Sequence, residues 1–156
     1  MHKPKEFYAA YFTVRGEDCD AVIINQGLSG VRAKMRELEQ KERNKVISAK
    51  EKTTYVTLQI INEAMSRGVE FLPVDLYKSK ASRYVLEDDK IRLPFSSIQG
   101  VGESAAVGME EAAKEGNFMC WDDIQSRAGV SKTVMEALDS MGALEGIPKS
   151  LQMSFF

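Results

Sequence analysis

The sequence predicts a mainly α-helical fold with one small β-hairpin set between two helical regions, and three observations carry that expectation. Apolar residues recur at three- and four-residue spacing up to about residue 67 and again beyond residue 94. Between these regions, two short alternating runs flank the acidic turn Glu87-Asp88-Asp89. Glycines then stand where helices must turn or stop, at Gly68, Gly100, Gly102, Gly129 and Gly142.

The first helix is expected over residues 4–14, where Phe7, Tyr8, Tyr11 and Phe12 form an i, i+4 aromatic stripe. A face this rich in aromatic rings requires a covering partner. The stretch reads either as a piece from the middle of a larger domain, with Met1 added, or as an N-terminal core helix. Asp18 and Asp20 then form a D-x-D pair of a kind that can hold metal ions. They sit directly before Ala21-Val22-Ile23-Ile24, however, which favours a loop capping a helix.

A long helix follows from about Ser29 to about Asn44, with Val31, Met35 and Leu38 as its only apolar stripe, so it should be thin and mostly solvated. The next begins with Ser48 and Glu51 at capping-box spacing, carries Tyr55, Leu58, Ile61 and Met65 on one face, and stops at Arg67-Gly68. After Gly68 the pattern becomes extended: residues 69–72, then 83–86 and 90–93 around the acidic turn, which predicts a β-hairpin.

Residues 93–106 place a short helix, a tight Gly100-Val101-Gly102 turn and the start of a second helix, Glu103-Ser104-Ala105-Ala106, in that order. This resembles a helix-hairpin-helix motif. Glycines at both ends of the turn permit positive φ and leave backbone N–H groups exposed, while the following helix contributes the positive end of its dipole. Such a turn can receive a DNA phosphate without a basic side chain, with Gly100, Val101, Gly102, Glu103 and Ser104 as the candidate residues. Ala105 and Ala106 are small enough to let the two helices approach. A nucleotide-binding loop would need a preceding strand, a third glycine and a βαβ setting, none of which is present. A joint between helices with no ligand stays open.

A second, degenerate copy follows: a helix over 121–128, the turn Gly129-Val130-Ser131, and a helix from Lys132 to Met141 closed by Gly142. Gly129, Ser131 and Lys132 are its candidate phosphate contacts, with Arg127 beside the turn. Trp121, Ile124, Val134 and Leu138 are expected in a core shared by the two hairpins. Charge opposes strong binding by the first hairpin, because residues 95–123 hold six acidic side chains and one lysine. Residues 32–52 have the reverse balance, eight basic and four acidic. A net charge of −2 excludes a protein that coats nucleic acid by charge alone, so any DNA contact must be local.

Other classes are excluded on composition. The 156 residues are 44% apolar and 28% charged, in the range of globular proteins. The longest apolar runs, such as residues 8–12, fall far short of the roughly 20 residues that span a bilayer, and no charged-then-apolar leader opens the chain. A cytoplasmic location without membrane contact is therefore expected. Cys19 and Cys120 lie far apart with no CxxC spacing and His2 is the single histidine, so neither a zinc site nor a disulfide framework is predicted. One histidine at position 2 also provides no nucleophile and base pair, and Asp88 and Asp89 are turn residues.

The chain ends in Gln152-Met153-Ser154-Phe155-Phe156. Burying each phenylalanine ring is worth roughly 1.5 to 3 kcal/mol, so this peptide either folds back on its own core or enters a partner's pocket. It resembles the bacterial sliding-clamp motif: Gln, an aliphatic residue, Ser or Asp, then two large apolar residues.

The order of features is more specific than any one of them. Lys5-Glu6-Phe7-Tyr8-Ala9-Ala10-Tyr11-Phe12-Thr13-Val14-Arg15, Asp75-Leu76-Tyr77, Pro94-Phe95, the turn at 98–102, Ser131-Lys132-Thr133, Leu138-Asp139-Ser140-Met141-Gly142-Ala143-Leu144 and the terminal peptide together resemble the C-terminal region of the PolC-type bacterial DNA polymerase III α subunit. The resemblance covers essentially the whole chain. It implies that residues 1–72 end the polymerase fingers, 73–148 form a tandem helix-hairpin-helix domain that binds double-stranded DNA, and 149–156 tether the enzyme to the β sliding clamp. It also implies the rest of the polymerase chain as a partner. The metal-binding carboxylates, and the magnesium they hold, are expected upstream in the parent enzyme, so this fragment should carry no cofactor and no catalytic residue. Phe155 and Met153 stand where the family commonly has leucine. The competing expectation is a freestanding helix-hairpin-helix accessory protein of repair or recombination.

Overall fold

The structure, a computed structural model, describes residues 5–14 and 19–149. Within them, helices dominate, as the periodicity predicts, and a sheet of three strands, one more than the expected hairpin, sits between the two helical regions.

Helix α1 (Lys5–Val14) divides its aromatic residues into two stripes. Tyr8 and Phe12 are fully buried and stacked, whereas Phe7 is 44% exposed and Tyr11 lies beside it on the outer face. Phe12 packs on Phe71 and Tyr84. Only half of the predicted aromatic face is therefore core. Asp20 caps the short α2 (Ala21–Asn25) by accepting from the Val22 N–H, the capping role expected of it; Asp18 lies outside the described residues.

Helix α3 (Gly27–Arg43) is thin, as predicted, burying Val31 and Leu38 against α4 (Ala49–Ser66). The Ser48 hydroxyl accepts from the Glu51 N–H and the Glu51 carboxylate accepts from the Ser48 N–H, completing the expected capping box. Tyr55 donates to Glu39, and Arg32 donates to Asn62 and Ser66, so polar side chains also join the two long helices.

The β-hairpin is present, with β2 (Val85–Glu87) antiparallel to β3 (Lys90–Arg92). Asp88 and Asp89 both have positive φ, 51° and 68°, the backbone of a two-residue turn that matches strand twist. The sequence does not reveal that β1 (Phe71–Leu72) pairs in parallel with β3, giving the order β1-β3-β2. Arg92, itself buried, forks onto Glu87 across the hairpin at 2.6 and 2.8 Å and donates to the Pro73 carbonyl. The Thr13 hydroxyl accepts from the Tyr84 N–H, tying α1 to the strand that follows.

Beyond the sheet, Ser79 donates to the buried Leu93 carbonyl, and residues 80 and 81 accept from the N–H groups of Phe95 and Ser96. This delivers the chain to a single 3-10 turn (Phe95–Ser97), then α5 (Glu103–Lys114), α6 (Trp121–Ala128) and α7 (Lys132–Ser140). Ile98, Ala106, Met109, Ile124, Val134 and Leu138 form their buried centre. Trp121 is half-buried rather than enclosed, its indole N–H donating to the Ile147 carbonyl.

Candidate nucleic-acid interface

The first turn joins the 3-10 turn at 95–97 to α5. Gly100 has φ +94°, a conformation that L side chains rarely adopt. Gly102 differs from the expectation for both glycines. It is extended, with φ −80° and ψ 177°, and caps α5. A Cβ built on it would meet none of the described residues within 4 Å. Neither backbone conformation nor internal packing therefore asks for glycine at 102.

With glycine as the cap, no side chain caps α5, which leaves the first-turn N–H groups of Glu103 and Ser104 pointing off the helix end. Ser104 is exposed beside them. Val101 contributes differently from its neighbours: its side chain is buried and its N–H donates to the Ile98 carbonyl. The turn opens on a cleft of about 500 Å³ whose walls include Thr13, Lys50, Ser82, Ser96 and residues 98–103. Gln99 anchors the approach by donating to the Cys19 carbonyl.

At the second turn, Gly129 closes α6 with φ 70° and donates its N–H to Gln125. Ser131 caps α7 by accepting from the Val134 N–H, so one helix-end donor is already taken. Lys132 is exposed on the first turn of α7.

Arg127 does not serve this turn as the sequence suggests. Its guanidinium turns inward, donating to the carbonyls of Ala112, Gly116 and Asn117 and to Asp123, and it lies 4.5 Å from the centre of the Phe118 ring. A side chain held by five such contacts closes the end of α5 and is not displayed to a ligand.

The acids around the first hairpin are also not equivalent. Burial pushes the Glu110 carboxyl up, but the Ala81 N–H and Lys114 outweigh it and hold it below the ordinary range. Lys114 bridges Glu110 and Glu111, so part of the repulsive field is neutralised within α5. Glu103 remains exposed at the mouth of the cleft.

Among the described residues, no cluster of three His, Cys, Asp or Glu side chains stands where it could hold a metal ion. Cys19 and Cys120 are both buried. No helix among the described residues is long and apolar enough to cross a membrane. The candidate clamp-binding residues Gln152, Met153, Ser154, Phe155 and Phe156 lie outside the described residues.

Comparison with known proteins agrees with this arrangement. The helix-hairpin-helix motif family matches residues 68–152, more than half of the chain. Over all 156 residues the chain is 44% identical to a DNA polymerase III PolC-type of Clostridium perfringens (strain 13 / Type A). It is 39% identical to that of Halalkalibacterium halodurans and 40% to that of Bacillus cereus, again over its full length. In each case it spans 11% of the relative. On these matches the chain belongs to the helix-hairpin-helix family, and all of its residues align with PolC-type DNA polymerase III.

Proposed function

We propose that this chain is the duplex-binding and clamp-tethering end of a bacterial replicative DNA-directed DNA polymerase. In this assignment residues 1–72 complete the fingers, 73–148 grip the double-stranded product behind the active site, and 149–156 attach the enzyme to the β sliding clamp. The full-length likeness to PolC-type polymerases supports the polymerase context over an accessory protein that acts alone. Nucleotidyl transfer, with its magnesium, belongs to the parent enzyme.

The observation that carries the binding assignment is the open turn at Gly100-Val101-Gly102. Its second glycine lines a cleft with no described residue against it, and the helix it opens has no side-chain cap. Backbone donors at a helix start attract a phosphate group without base specificity, which suits a polymerase that must pass over every sequence. Ser131 and Lys132 at the second turn would contact the backbone further along the duplex. The modest charge makes this grip weak by itself, so tethering, which raises effective concentration, supplies processivity.

The test pairs two variants of the 156-residue chain. Gly102→Val keeps an allowed backbone conformation and is expected to preserve helicity while weakening capture of a short duplex at low salt. Deletion of residues 152–156 should leave duplex binding intact and abolish capture by an immobilised sliding clamp. Unchanged duplex affinity in the first variant overturns the phosphate turn; undiminished clamp capture in the second overturns the tether.

A further inference from the structure

The first hairpin lacks a cation of its own. Between residues 95 and 123 there is one lysine, Lys114, and it is engaged by Glu110 and Glu111. The fold brings a different lysine to the turn. Lys50, fifty positions upstream in the first turn of α4, lines the same cleft as Gly100, Val101 and Gly102.

Three features mark this lysine. Among the described residues that line the cleft it is the one basic residue, and it stands with one acidic residue, Glu103. Its chain neighbour Glu51 is engaged by Lys41 and by the Ser48 N–H of the capping box. Among the described residues Lys50 therefore has no carboxylate partner, although Lys34, Lys41, Lys78 and Lys90 all do. Ser82 and Ser96 line the cleft as well, and neither hydroxyl has a hydrogen bond to a described residue. A cation, two hydroxyls and the turn thus share one pocket of a size that accepts a phosphodiester.

We propose that Lys50, with Ser82 and Ser96, completes the first hairpin's DNA-phosphate site, so that one backbone phosphate is held jointly by the start of α4 and the Gly100-Val101-Gly102 turn. The inference rests on the duplex-binding assignment above and adds to it the source of the missing charge. The acidic hairpin then does not have to work against its own field. It also gives part of the basic surplus at residues 32–52 a defined role, placed at a single point of contact rather than spread along a helix.

The measurement is the salt dependence of duplex binding by the whole chain, followed by fluorescence anisotropy. Each phosphate neutralised by a lysine contributes about 0.9 to the slope of log K against log salt. Lys50→Ala should lose about that much slope, and Lys50→Arg should retain it. Lys90→Ala, which removes an equal charge from a residue paired with Glu70 outside the cleft, should leave the slope unchanged. In a Gly102→Val background, Lys50→Ala should cost less than it does alone, because the shared phosphate is already lost.

An unchanged slope in Lys50→Ala, while Gly102→Val still weakens binding, overturns the joint site and spares the hairpin assignment. Equal losses in Lys50→Ala and Lys90→Ala overturn it too, since charge alone would then explain both. A slope loss with Lys50→Ala but no effect of Gly102→Val overturns both readings.

Discussion

Arg127 Nη2 stands 2.6 Å from the carbonyl oxygen of Ala112, so a side chain from the first helix of the second hairpin closes the last helix of the first. Hydrogen bonds from a charged donor are worth roughly 1.5 to 3 kcal/mol where they are shielded. Arg127→Ala is expected to lower stability by about that amount in urea denaturation. Arg127→Lys should recover only part of it, because an ammonium cannot fork onto several carbonyls at once. Duplex affinity, measured where both variants are folded, should be unchanged; a loss of affinity without a loss of stability would return Arg127 to the DNA-facing surface.

The two hairpins also meet backbone to backbone. A Cβ on Gly108 would stand 3.2 Å from the Ala128 carbonyl oxygen, at the junction of α5 and α6. Glycine in a helix interior costs about 1 kcal/mol relative to alanine, and this approach accounts for its presence. Gly108→Val is expected to destabilise by about 1 to 3 kcal/mol, as overpacking does. The check is the urea midpoint, and a midpoint equal to the parent's would mean that the helices separate freely.

The start of α4 supplies a pH dependence. The hydrogen bond from Lys41, together with the Ser48 N–H, holds the Glu51 carboxyl at about 2, against its ordinary 4.5. A carboxyl depressed on folding stabilises the native state above its unfolded value, and that contribution fades as pH falls from 4.5 towards 2. An acid titration of helical circular dichroism should therefore show a component in this window that Glu51→Gln removes. Ser48→Ala should cost about 1 kcal/mol at neutral pH through loss of the cap.

Local signals in the sequence match the fold where local physics decides the outcome. Ser48 and Glu51 announce a helix start because both halves of the capping box lie within one turn. Asp88 and Asp89 announce a β-hairpin because alternation brackets them. The parallel pairing of Phe71 and Leu72 with Ile91 and Arg92 was invisible: two residues hold no period, and their partner lies twenty positions away.

The site shows the same division. The position of Gly100 and the turn itself were legible from spacing. The inward turn of Arg127 was not, because a basic residue beside a turn looks alike whether a phosphate or a helix end receives it. Nor was Lys50, whose approach to the cleft depends on how α4 and the hairpin pack.

The two glycines of the first turn answer to different selectors. Position 100 is set by the chain's own backbone, with φ +94°, whereas position 102 has an ordinary backbone and none of the described residues against it. In a library sorted only for folding, glycine should persist at 100 while 102 drifts to other residues. Sorted for duplex capture, the same library should regain glycine at 102, so the spread of letters at that position measures how closely a ligand comes to the main chain.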